Sequence, residues 1–145
     1  MHWVILAISI VIFLITGDID SMRNQTNRTA MQLQAGQLYA YQILNIANRV
    51  NDWRYKTGQK DGTVPVAQLG LPFTPDNRIQ YLLLQSRLWI WMPEQPGLID
   101  TLRGQSRGSA LIGTMKNGQL IWLSGQATGL TAPQGVPDGS VVYLN

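Results

Sequence analysis

Three carboxylates, Asp76, Glu94 and Asp100, are the side chains of this chain whose type and spacing bear most on chemistry. Two carboxyl groups brought together by a fold can divide into an acid and a base, because each charge pushes the other's pKa. Glu94 is the single glutamate and lies between Pro93 and Pro96. Asp100 and Arg103 read more simply as an ion pair on a helix surface. The only histidine is His2, so no histidine-based general base, triad or metal centre is available to a folded body. With no cysteine, disulfides, iron-sulfur clusters and thiolate zinc sites are excluded. The segment RGQSRGSAL, Arg103 to Leu111, has the look of an anion cradle, but no helix comes after it to supply a positive dipole, and it reads as a loop. No catalytic residue, metal or cofactor is therefore expected. The chain reads as non-enzymatic, against a competing reading as a membrane-tethered enzyme acting on cell-wall material through one of the three carboxylates.

The aromatic stretch RLWIWMP carries more information. Alternation along a strand puts Arg87, Trp89 and Trp91 on one face and Leu88, Ile90 and Met92 on the other. In QLIWL, Leu120 and Trp122 likewise oppose Ile121 and Leu123. Both faces of such a sheet are apolar, whereas a sheet covered by one helix needs only one apolar face. The second face must meet a short helix near Leu98 to Leu102, the loops of its own chain, or another protein. In the last case Arg87, Trp89, Trp91 and Trp122 form the partner surface, since Trp and Arg are enriched where proteins anchor on one another.

The elements that position these residues follow from period and punctuation. Ala30 to Tyr55 reads as one amphipathic helix, with Ala40, Ile43, Ala47, Val50 and Trp53 at steps of three and four and Gly36 as its weak point. Gly58 to Arg78 is a Gly- and Pro-rich loop system with one helical turn near Val66 to Leu69. Strands are expected over Ile79 to Gln85, Arg87 to Met92 and Ser140 to Leu144, and a short helix over Pro96 to Arg103. Asn117-Gly118 between two apolar runs predicts a two-residue hairpin turn within Ala110 to Leu123, because both positions need positive φ. The expected fold class is α+β: an N-terminal membrane helix, then a long amphipathic helix packed on an antiparallel sheet of four or five strands.

At 145 residues and 45% apolar composition the chain suits one domain. Its formal charge of +3 is scattered, which argues against the clustered basic face that nucleic acid requires. Trp3, Val4, Ile5, Leu6, Ile8, Ile10, Val11, Ile12, Phe13, Leu14 and Ile15 form an apolar run in which nothing is more polar than Ser9. A cleaved export signal wants a basic start and small residues before the cut. This run has neither, nor the short basic leader and internal Glu of a type IV pilin. An uncleaved anchor over residues 1–17 is the expectation, although such a helix is about 25 Å long against a hydrocarbon core of about 30 Å. A buried helix of a soluble protein, or an exported binding module with its signal removed, are the alternatives. Arg23 and Arg28 pull the segment after the run toward the cytoplasm, while a lone leading apolar helix exports the chain attached to its C-terminal end. The body is expected to be periplasmic. Residues 18–29, with NQT and NRT at Asn24 and Asn27, read as a polar stalk, and 30–145 as a single α+β domain, in one reading pilin-like.

The short anchor, the polar step through GDI, a Gln- and Asn-rich helix, VPVAQLGLP, the WIW strand and the overall length together resemble the small PilM proteins of type IVB thin-pilus systems on conjugative plasmids. The resemblance spans essentially the whole chain. It implies a bacterial inner-membrane component of the pilus assembly machine, in the basal body or the pilin-transport apparatus. Its implied partners are other machine subunits and the membrane, with self-association left open. VPVAQLGLP is also similar to a loop of pilin-like folds, which makes a minor-pilin-like subunit the alternative. No catalytic residues come with the resemblance.

Overall fold

The computed structural model describes residues 2–107 and 111–145, with the side chains of 2–22 and 24 outside that description. Helix α1 is a single unbroken element, His2–Thr57. The expected start at Ala30 therefore moves upstream, and the stalk expected over 18–29 is helical. No proline interrupts these residues, and each Ser, Thr or Asn costs a helix only about 0.5–0.7 kcal/mol relative to Ala. The helix stops at Gly58, whose φ of 72° favours glycine. The Gly58 amide closes on the Arg54 carbonyl at 2.8 Å, and Arg54 and Lys56 face the negative helix end. The anchor expected at 1–17, with its run from Trp3 to Ile15, turns on side chains outside the described residues. Among the described residues no helix is long and apolar enough to cross a membrane.

The sheet has five strands: β1 (Gln80–Leu84), β2 (Arg87–Pro93), β3 (Leu111–Lys116), β4 (Gln119–Trp122) and β5 (Ser140–Leu144). Their spatial order is β1-β2-β5-β3-β4, with every neighbouring pair antiparallel. The last strand thus enters the centre, where all its residues are buried. Gln85 and Ser86, both at positive φ, turn β1 into β2, and Asn117-Gly118 turns β3 into β4 as its sequence demands. The Asp138 carboxylate holds this second turn, accepting the Asn117 amide at 3.1 Å and the Gly118 amide at 2.9 Å.

The main core lies between the helices and one sheet face. Ala40, Ile43, Ile46, Ala47 and Val50 of α1 meet Leu88, Ile90, Met92, Ile112, Val141 and Tyr143 there. Burial of a side chain of this size stabilises by about 1.5–3 kcal/mol. Helix α2 (Leu98–Gln105) joins the same face through Leu98 and Leu102, and does not cover the opposite one. It comes so close to α1 that a Cβ on Gly36 would lie 2.2 Å from the Pro96 carbonyl oxygen. Both sheet edges are occupied by the chain itself. Leu83 of β1 exchanges two backbone hydrogen bonds with Gly62, at 2.8 and 3.0 Å, and β4 is bonded by Gln126 and Thr128 at 2.8 and 3.0 Å. Neither edge presents the open row of amides and carbonyls that recruits a further strand at those positions.

Candidate interaction surfaces

Strand alternation does separate the two sets of side chains as their order requires. The second face carries Trp89, Met115, Leu120, Val142 and Leu144, with Leu84, Trp91 and Trp122 partly buried against them. It is covered by the chain's own loop after β4, through Leu130, Ala132 and Val136. Trp89 is only 2% exposed, so it belongs to the core and is corrected as a member of an open partner surface. A strand beside β5 is central, and both of its faces are then covered. Trp91 and Trp122 are half-buried, and Arg87 is exposed. These three form the rim of the covered face and do not make a bare patch. The Trp89 indole N–H is buried without a hydrogen-bond partner.

The carboxylates sit on three different elements. Glu94 comes directly after β2 and is exposed, its amide bonded to the Gly139 carbonyl at 3.2 Å. Asp100 lies exposed on α2, and no ion pair joins it to Arg103 among the described residues. Asp76 has a structural task. Its carboxylate accepts from the Arg78 amide, Nε and Nη2 at 2.9, 3.0 and 3.1 Å, while its own amide donates to Gln42 Oε1 at 2.9 Å. The Arg78 guanidinium lies 4.8 Å from the Tyr39 ring centroid and also donates to the Tyr39 hydroxyl. Hydrogen bonding to Arg78 holds the Asp76 carboxyl below its ordinary pKa. It is therefore a persistent anion that ties the loop before β1 to α1. Among the described residues no three His, Asp or Glu side chains gather where a metal ion would fit.

One pattern that the sequence reading passed over is Gly104-Gln105-Ser106-Arg107-Gly108, which matches the GxSxG spacing of hydrolase nucleophiles. That motif works on a turn from strand into helix, which exposes the serine. Here Ser106 closes the C-terminal end of α2, is 7% exposed, and its amide bonds the Leu102 carbonyl at 3.0 Å. The match is in letters and not in geometry.

A surface that the sequence signalled only indirectly lies on α1. Met31, Leu33, Leu38 and Tyr41 are 69, 46, 54 and 49% exposed. Met31 and Leu38 are seven residues apart and share one line, which at about 100° per residue lies on the side of the helix away from the Ala40–Val50 core stripe. Tyr41 continues this row and touches the Phe73 ring, with centroids 5.8 Å apart. Leu33 lies nearer the body, beside Gly97. Upstream of the packed half of α1, residues 25–34 are exposed throughout. Apolar letters off the core stripe were the available signal.

A long helix whose second half lies across one face of a five-stranded antiparallel sheet, with the other face closed by a loop, defines a helix-backed α+β protein. The family model for PilM matches residues 10–144, and the chain belongs to the PilM family. A crystal structure of a PilM protein from Escherichia coli B7A superposes with a TM-score of 0.68 at 32% identity, covering 79% of this chain and 94% of that one. A pilM protein from Pseudomonas aeruginosa 2192 is 25% identical over 74% of this chain and 92% of that one, with a TM-score of 0.44. No curated protein matches the chain.

Proposed function

We propose that the chain is a non-enzymatic inner-membrane component of a type IVB conjugative pilus assembly apparatus, a scaffold of the basal body or of pilin transport. Membership of the PilM family supports a role in a pilus system. The observation that carries action by contact is the row of exposed apolar side chains on α1, Met31, Leu38 and Tyr41. A helix that is polar on most sides and unsupported by its own domain is marginal in water, and neighbouring subunits supply the missing support. The leading apolar run anchors the chain by a single pass and the body lies in the periplasm.

Fractionation of pilus-producing cells tests this reading. The full-length chain is expected in the inner-membrane fraction, released by detergent, with its body digested by protease added to spheroplasts. Recovery in the soluble fraction, or a body protected from that protease, would overturn the anchor or its orientation.

A second reading as a minor-pilin-like subunit is favoured by one observation: α1 is a single helix, exposed over residues 25–34 and packed on the sheet at its end. Chain found in sheared pili, and not in the cell envelope, would establish it.

A further inference from the structure

Asn117-Gly118, at the tip of the β3–β4 hairpin, is the one place in the chain where an asparagine precedes a glycine. Both residues are exposed. A glycine carries no side chain to shield its backbone nitrogen, so in such a pair that nitrogen can reach the carbonyl carbon of the preceding side-chain amide. We propose that Asn117 is a latent site of intramolecular deamidation, and that the Asp138 carboxylate holds the reaction off in the folded chain. The inference is independent of the function proposed above.

The Gly118 nitrogen attacks Asn117 Cγ. An N–Cγ bond forms, the Cγ–Nδ2 bond breaks, and the Gly118 proton leaves with Nδ2 as ammonia. Water, the only co-reactant, then opens the five-membered succinimide at one or other carbonyl and leaves aspartate or isoaspartate at position 117. The change is one-way, and it puts a new carboxylate at the hairpin tip that Asp138 holds.

The structure opposes the first bond in three ways. Asn117 and Gly118 have φ of 50° and 74°, the left-handed pair of a two-residue hairpin turn. At a left-handed ψ of about +47° the following nitrogen stands nearly anti to the residue's own Cβ, whereas the ring needs the two on the same side. Closure therefore requires rotation about the Asn117 Cα–C bond, and this swings the Gly118 N–H off Asp138 Oδ1, to which it donates at 2.9 Å. Asp138 Oδ2 accepts the Asn117 amide at 3.1 Å, so one carboxylate holds the nitrogens on either side of the Asn117 Cα. The Gly118 nitrogen must also give up its proton to attack, and a carboxylate in contact with it opposes a second negative charge there.

Asp138 is positioned from outside the turn that it holds. The neighbouring Gly139 amide donates to the Met115 carbonyl at 2.9 Å, the Gly139 carbonyl accepts the Glu94 amide at 3.2 Å, and the Ser140 amide donates to the Pro137 carbonyl at 3.3 Å. Strand β3 and the end of β2 thus fix the backbone around Asp138, and the carboxylate stays in place without help from Asn117.

The test follows the full chain in non-ionic detergent at mildly alkaline pH, with peptide mass spectrometry reading amide-to-acid conversion at position 117 against time. Folded wild type is expected to convert at least about tenfold more slowly than the same chain unfolded in guanidinium, because ring closure waits for local opening. Asp138→Ala, with its fold verified by circular dichroism, is expected to convert about three- to tenfold faster than wild type, as its two hydrogen bonds pass to water. Gly113→Val weakens the same hairpin with the clamp in place, and is expected to convert at the wild-type rate. Equal rates in folded and unfolded wild type would show that nothing is protected, and Asp138→Ala at the wild-type rate would show that Asp138 is not the guard. Acceleration in Gly113→Val matching that in Asp138→Ala would assign the protection to hairpin stability at large. Each of these three results would overturn the proposal.

Discussion

Trp91 and Trp122 stand in one cross-strand row of the sheet, separated only by Val142 and Gly113. The row works because Gly113 has no side chain. A Cβ there would lie 2.6 Å from the Ile121 carbonyl oxygen and 3.0 Å from the Leu120 side chain. Leu120 occupies the space that a residue of β3 would otherwise fill, and the loop carrying Leu130, Ala132 and Val136 seals the face above it.

Gly113→Val is therefore expected to destabilise the body by about 1–3 kcal/mol, as overpacking of a closed core does. Chemical denaturation measures this directly. Stability equal to wild type would mean that the row is looser than these distances require.

Gly36 gives a prediction of inverted sign. In an exposed helix, Gly→Ala stabilises by about 1 kcal/mol. At Gly36 the added carbon would meet the Pro96 carbonyl oxygen at 2.2 Å and Gly97 and Leu98 backbone atoms at 2.9 Å. Gly36→Ala is thus expected to lower the melting temperature. The position that looks like a flaw in the helical pattern is the point where α1 and α2 touch.

The pH dependence follows from Asp76. Its carboxyl is held below the ordinary value by Arg78, so the folded state prefers the anion more than the unfolded chain does. The resulting stability is complete above the unfolded carboxylate value of about 3.9 and is lost as pH falls through the lower folded value. Wild type should lose more stability than Asp76→Asn over that acidic window, by a small amount because the pair is near the surface. Parallel acid titrations of the two proteins would expose an identical slope if Arg78 gave no such preference.

Asp138 clamps two amides of the β3–β4 turn. The turn is exposed and water takes over both amides, so Asp138→Ala is expected to cost about 0.5–1.5 kcal/mol. Amide exchange at Asn117 and Gly118 should quicken before exchange in β5 does.

Much of this architecture was readable because local chemistry and final environment agree. Asn117-Gly118 makes the turn that its letters demand, β5 spans Ser140–Leu144 as expected, and Ala40, Ile43, Ala47 and Val50 bury the face that their spacing marks. The covering of the second face was not readable. Leu130, Ala132 and Val136 have no period, since a loop buries side chains wherever its path happens to bring them, and only the tertiary fold shows that they pack against the cluster of Trp89, Met115, Leu120, Val142 and Leu144. The burial of Trp89 follows from the central placement of β2 beside β5, which is long-range pairing. The helical start of α1 was missed because polar residues weaken a helix without ending it.

The most direct test of action by contact is pilus-dependent mating in cells carrying Met31→Glu with Leu38→Glu, set beside Glu94→Gln and Asp100→Asn. Neither Met31 nor Leu38 supports the core, so the body stays folded. The expected result is loss of mating in the helix variant and wild-type mating in both carboxylate variants. Normal mating with the helix row charged, or its abolition by one carboxylate change in a folded protein, would contradict a scaffold that works through this face.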